Sequence, residues 1–474
     1  MWKTRIFVGC RWISTEKLEL WTIHPPPPIV HPHPPVPRPA LKNPQNMLVF
    51  GHILLPDPIR GARLALGQVR LDGPRIAEVT LDPARIGTPD FGHDRCLICP
   101  GFVDTHVHLP QFDCLGIDGL TLLEWLTQAV FPTEARWADS DHAGACAASA
   151  AKRMLAAGTT GIAAYATVHH AGAQAAIEAV ESVGLRALVG QVLMDQQAPP
   201  ELVRPAPQLL REAASLQARG RVGPAVTPRF AVSCSDELLR GSGELAKATG
   251  WAVQTHLSES VPECQLVGRL HNAANYTEVY QRAGLLTPRT ILAHGIWLGD
   301  AERAMIRAAG SLISHCPSAN LFLQAGTMDR AGSMAAGMRV ALGSDVSGGP
   351  DPCMVRVARA MIETAKVRRM TDGRTPVPSP AEAWAQITWK NADALGWTDS
   401  GRVAAGAWAD LVVIDPTRGP AAQPDWPKAV DPLSLLMYGF DERWIERTIV
   451  QGRTGYAARG PGRSNRESPR KPIG

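Results

Sequence analysis

The stretch LICPGFVDTHVHLPQ, residues 97–111, passes from an apolar run into an alternating segment that ends in His-x-His. Residues two apart on a strand face the same side, so the imidazoles of His106 and His108 can share one metal ion at that strand's end. Seven more short apolar runs come after it: GIAAYAT (161–167), RALVGQVLM (186–194), AVTPRFAV (225–232), WAVQTHL (251–257), TILAHG (290–295), SLISHC (311–316) and RVALGSD (339–345). The long stretches between them, many rich in Ala, predict helices that include residues 140–157, 203–218, 236–248, 272–284, 300–309 and 353–369. Eight strands alternating with helices predict an α/β fold, a (β/α)8 TIM-type barrel.

Asp104, His106, His108, Arg229, His256, His294, His315 and Asp345 all fall toward the C-terminal ends of these runs, the face on which barrel enzymes carry their chemistry. Any one of the histidines reads by itself as a hydrogen-bonded core or loop residue. His106, His108, His256, His294 and Asp345, spread over four strands of one barrel, are too many for that explanation. Three histidines and a carboxylate suit Zn2+, with one position left open for water. Glu259 stands three residues after His256 in HLSES, close enough to reach the same water. A carboxylate beside zinc can take a proton from water and deliver it to a ring nitrogen and a leaving amine. His52, His93, His142 and His271 lack such placement. Cys96 and Cys99 form a CxxC, but no second pair of ligands occurs at short spacing, so a structural zinc site is not expected there.

A formal charge of +4, from 48 basic and 44 acidic residues, makes no field strong enough to argue for nucleic acid or an anionic membrane. The expected partner is a small neutral molecule. The sequence holds no membrane-spanning run and no signal peptide. Its nine cysteines, an odd number thinly spread, suit a reducing compartment, and a cytoplasmic setting is expected.

Residues 25–39, PPPPIVHPHPPVPRP, lack most backbone donors and favour polyproline II. Residues 1–46 are therefore expected to form a disordered extension, with Met47 opening the first ordered segment and serving as the natural start. Residues 47–96 and 409–455 carry short β-branched runs such as QVRL, DLVVID and RTIVQG, which predict a small β-sandwich-like domain built from both chain ends. The barrel is expected over residues 97–408, and a flexible basic tail over 456–474.

PGFVDTHVHLPQ resembles the first barrel strand of the amidohydrolase superfamily, and its continuation is similar to the guanine deaminase family. The matching pieces are Gln111 after HVHLP, LLEWLTQAVFPTE (122–134), TVH (167–169), TPRF (227–230) with SCS just beyond it, and HCPSANLFL (315–323), covering nearly all of residues 97–410. GRVAAGAWADLVVID (401–415) resembles the segment where such chains leave the barrel. The resemblance implies hydrolytic deamination of guanine to xanthine and ammonia, one Zn2+ per subunit, and a homodimer. It implies zinc ligands at His106, His108, His256 and Asp345, with Glu259 as proton shuttle and His294 and Asp345 beside the catalytic water. It further implies a purine held by Gln111, Arg229 and Phe230 next to His108, His256, Glu259 and Asp345. A flat base is well held between an aromatic face and a few fixed donors and acceptors. The chain departs from the family pattern in VSGGP after Asp345, in Ala319 before Asn320, and in Ser260 after Glu259, so selectivity among purines is less closely specified than the reaction.

Two other functions fit parts of the sequence. An aminohydrolase or chlorohydrolase of another N-heterocycle, such as 8-oxoguanine, a pterin, a pyrimidine or a triazine, would share the zinc and Glu259. A non-catalytic barrel scaffold should show eroded ligands, whereas all six polar positions are present.

Overall fold

The computed structural model describes residues 6–8, 11–13 and 46–458. The expected disordered extension and basic tail lie almost wholly outside the described residues. The chain divides into two units, Met1–Lys42 and Asn43–Gly474. In the first, Ile6–Val8 pairs antiparallel with Arg11–Ile13.

In the second unit, eight parallel positions run in chain order around a nearly closed barrel: Phe102–His108, Thr159–Tyr165, Arg186–Gly190, Val222–Pro228, Ala252–Leu257, Thr290–His294, Leu312–His315 and Arg339–Leu342. The third is interrupted at Gln191, after which Val192–Leu193 continues the pairing against Thr227 and Pro228. The last strand meets the first through Asp345, whose backbone N–H donates to His106 O, and through His108, whose N–H donates to Val346 O, both at 2.9 Å. The Ser344 hydroxyl and backbone N–H both donate to Asp104, a buried carboxylate that thereby ties the eighth strand to the first.

The deciding stretch is two strands rather than one. Leu97–Pro100 belongs to the smaller domain, where it pairs with Leu411–Ile414 and with the strand Met47–Asp57; Phe102–His108 belongs to the barrel. Gly101 makes the switch, because a Cβ there would lie 2.1 Å from Thr160 Oγ1. Leu97–Pro100 lies within one hydrogen-bonded sheet of seven strands drawn from both sides of the barrel sequence. Cys96 and Cys99 pack into different apolar clusters of this region.

Several helices match their expected spans, among them Ser140–Ala156, Asp236–Thr249, Asp300–Ala309 and Met354–Asp372. Two differ. The span expected over 203–218 shrinks to Ala206–Ala214, and that over 272–284 to Tyr276–Arg282 behind an Asn275 cap. The helix Val261–His271, absent from the expectations, starts with the capping box Ser260-Val-Pro-Glu263. Among the described residues no helix is long and apolar enough to cross a membrane.

Candidate active site

Barrel strand ends bring the polar groups together. His106 and His108 lie on the first strand, His256 on the fifth and His294 at the end of the sixth, while Asp345 comes just after the eighth. His106 Nε2 is 3.0 Å and His108 Nε2 3.3 Å from Asp345 Oδ1. The Nε2 atoms of His108 and His256 are 3.1 Å apart. His294 Nε2 lies 3.4 Å from Glu259 Oε2 and 3.9 Å from Asp345 Oδ2. One ligand atom from each of His106, His256, His294 and Asp345 lies within 4.8 Å of the other three, and all six groups are buried.

Backbone geometry is bent to make this arrangement. Ser258, His294 and Asp345 hold φ values of +48°, +70° and +53°, a region that costs a residue with a Cβ on the order of 1–2 kcal/mol. The strain falls at the ends of the fifth, sixth and eighth strands, which carry His256, His294 and Asp345 into the cluster. Gly348 is required beside them, because a Cβ there would come 2.6 Å from Asp345 Oδ2.

The residues fit a metal ion. His106 Nε2, His294 Nε2 and Glu259 Oε1 are buried with no hydrogen-bond partner, an expensive arrangement for polar atoms unless something else binds them. Two of the imidazoles are fixed from behind. His256 Nδ1 lies 2.6 Å from Arg229 O, and His294 Nδ1 lies 2.9 Å from Asn320 Oδ1, which turns each Nε2 inward. Burial lowers the pKa values of His106, His108 and His256 well below the usual imidazole range, favouring the neutral form a metal requires. Burial, reinforced by the neighbouring Asp345 and Glu263 carboxylates, raises Glu259 well above the usual carboxylate range, the direction expected of a group that must hold a proton during turnover.

A pocket opens beside these groups, lined by His108, Gln111, Arg229, Phe230, His256, Glu259 and Asp345 together with Leu122, Trp125, Leu126 and Leu323. Every purine-contacting residue implied by the sequence therefore borders one cavity. Leu122, Trp125 and Leu126 show what the LLEWL segment does: it supplies the apolar wall.

Of the strand-end residues, His106 and His294 stand in the adjacent cluster without lining this cavity, and Asp104 and His315 belong to neither. Asp104 turns away to Ser344, and burial pushes its pKa up to about 7 despite the hydrogen bonds it accepts. His315 borders a separate cavity with Arg330, Thr364 and Arg368. Of the remaining histidines, His271 is held between Asp236 Oδ1 and Ala231 O.

Three residues at the site carry roles that the sequence alone did not suggest. Glu134, buried in the FPTE segment, contacts Arg229 Nη1 with both oxygens at 2.7 Å and accepts from Gln111 Nε2 at 3.0 Å. Asn320 holds His294. Glu263 accepts from the backbone N–H groups of Glu259 and Ser260 at 3.0 and 3.1 Å, and the S-x-x-E pattern beginning at Ser260 was the signal that could have revealed it.

A parallel barrel whose strand ends converge on imidazoles and carboxylates, with ring nitrogens left open toward their centre, is the architecture of a metal-dependent hydrolase. The amidohydrolase family model matches residues 97–455. Guanine deaminase of Dictyostelium discoideum is 33% identical over 366 residues, covering 75% of this chain and 81% of that protein. Guanine deaminase of Escherichia coli (strain K12) is 34% identical over 371 residues, covering 76% and 83%. The crystal structure of guanine deaminase from C. acetobutylicum, with guanine bound in its active site, superposes with a TM-score of 0.80 at 28% identity, covering 86% of this chain and 100% of that one. The chain belongs to the amidohydrolase family.

Proposed function

We infer that the chain is a hydrolytic guanine deaminase that converts guanine to xanthine and ammonia. The observation that carries this is the cavity in which Gln111, Arg229 and Phe230 stand beside Glu259 and the imidazole–carboxylate cluster, in a chain whose similarity to guanine deaminases spans three quarters of its length.

One zinc ion per subunit, held by His106, His108, His256 and Asp345, would make water acidic enough to supply a nucleophile near neutral pH. The other tasks fall to side chains. Glu259 takes one proton of the attacking water and passes it to a ring nitrogen of the base, then carries the second, from the new C2 hydroxyl, to the departing amine as the C2 carbonyl forms and the C–N bond breaks. Asp345 and His294 orient that water toward C2. Phe230 covers one face of the ring, while Leu122 and Trp125 exclude bulk solvent, which strengthens the charged contacts inside.

The competing substrates are other N-heterocycles. Arg229 and Gln111 favour a base with a matching polar edge, because a substrate lacking it leaves buried groups unpaired at a cost of about 1–3 kcal/mol each. Zinc-loaded protein offered guanine, adenine, cytosine and 8-oxoguanine in turn should release ammonia from guanine. Release from another base alone would reassign the substrate.

A further inference from the structure

Gln111 and Arg229 are themselves held by a third group. The Glu134 carboxylate is 1% exposed and contacts both side chains, at 2.7 Å from Arg229 Nη1 and 3.0 Å from Gln111 Nε2. A carboxylate paired with a guanidinium offers only lone pairs, so the amide of Gln111 must turn its NH2 toward Glu134. Its carbonyl oxygen then has one direction left. Gln111 Oε1 is buried and has no partner in the protein, and Gln111 borders the pocket. The same contact occupies one nitrogen of Arg229 and leaves the rest of its guanidinium to the cavity.

We propose that Glu134 is a positioning residue that sets substrate specificity, fixing Gln111 as an acceptor and Arg229 as a donor so that the pocket reads the lactam edge of the base. A lactam sets a ring N–H beside a carbonyl oxygen, and this acceptor–donor pair complements it. Adenine presents the reverse pattern, a ring lone pair beside an amino group, and meets like against like at both contacts. Without Glu134, the Gln111 amide can rotate and serve either pattern equally. This role for Glu134 rests on guanine being the substrate.

Hypoxanthine and adenine separate the two patterns, since both lack the 2-amino group that is released and differ only at this edge. Their inhibition constants against guanine turnover are to be measured for wild-type protein, Glu134→Gln and Gln111→Leu. Wild-type protein should bind hypoxanthine more tightly than adenine. In Glu134→Gln that preference should fall roughly tenfold to a hundredfold, with zinc content kept and the guanine KM raised more than kcat is lowered. Gln111→Leu leaves the Glu134–Arg229 pair intact and should lose the preference similarly, which keeps a test available if Glu134→Gln fails to fold. An unchanged preference in either folded variant overturns the role of Glu134 while leaving guanine deamination standing. Wild-type protein that turns over no guanine overturns both.

Discussion

His294 Nδ1 lies 2.9 Å from Asn320 Oδ1, and both side chains are buried. The contact spans the sixth strand and the short helix Pro317–Phe322, and it selects the ring orientation that sends His294 Nε2 toward Glu259 and Asp345. Asn320→Ala should lower kcat roughly 10–100-fold with near-normal zinc content. Steady-state rates and metal analysis of the same sample check this; unchanged kcat would show that His294 needs no such support.

Glu259 combines burial, a raised pKa and a backbone N–H held by Glu263. Glu259→Gln keeps the shape and removes the proton carrier. The variant should bind zinc and guanine but lose about 10²–10⁴-fold in turnover. Near-normal turnover would assign the proton transfers to another group.

Stripping the metal leaves several buried nitrogens and carboxylate oxygens close together without a counterpart. The chelated protein should lose guanine turnover and unfold at a lower temperature, because an ion bound only by the folded state stabilises it. One equivalent of zinc should restore both. A Tm indifferent to zinc would argue against a metal held by His106, His108, His256 and Asp345.

His315 is buried with Nδ1 unpartnered. Burial, helped by nearby Arg330, lowers its pKa to about 3, against an ordinary value near 6.5. A depressed imidazole contributes stability that is complete above the unfolded pKa and is lost as pH falls from about 6.5 toward about 3. Between pH 7 and pH 5 this amounts to about 2 kcal/mol. His315→Gln should therefore show a correspondingly shallower loss of unfolding free energy over that interval, read from denaturant titrations at the two pH values. An equally steep loss would place the acid sensitivity elsewhere.

The barrel was legible because its strands are apolar runs separated by helical stretches, and because the polar residues sit on one end of them. His106, His108, Gln111, Arg229, Phe230, His256, Glu259, His294 and Asp345 could all be chosen from strand-end position or family motif, and they come together around one centre. Supporting groups were harder to see. Glu134 and Asn320 act through contacts 95 and 26 residues away in sequence, and nothing in local pattern marks a buried carboxylate or amide as holding a distant side chain. The division at Gly101 was hidden because LICP and FVDTHVH are both strand-like, and only their different pairing partners, Leu411–Ile414 and Met47–Asp57 for the one and Thr159–Tyr165 for the other, separate them. His315 has the same strand-end placement as His294, but its ring enters a different cavity.

The most direct test traces the oxygen. Zinc-loaded protein turning over guanine in H2¹⁸O should yield xanthine carrying one ¹⁸O at C2, with one ammonia released per xanthine formed. Unlabelled product, or no xanthine at all from the metal-loaded protein, would contradict hydrolytic deamination at this site.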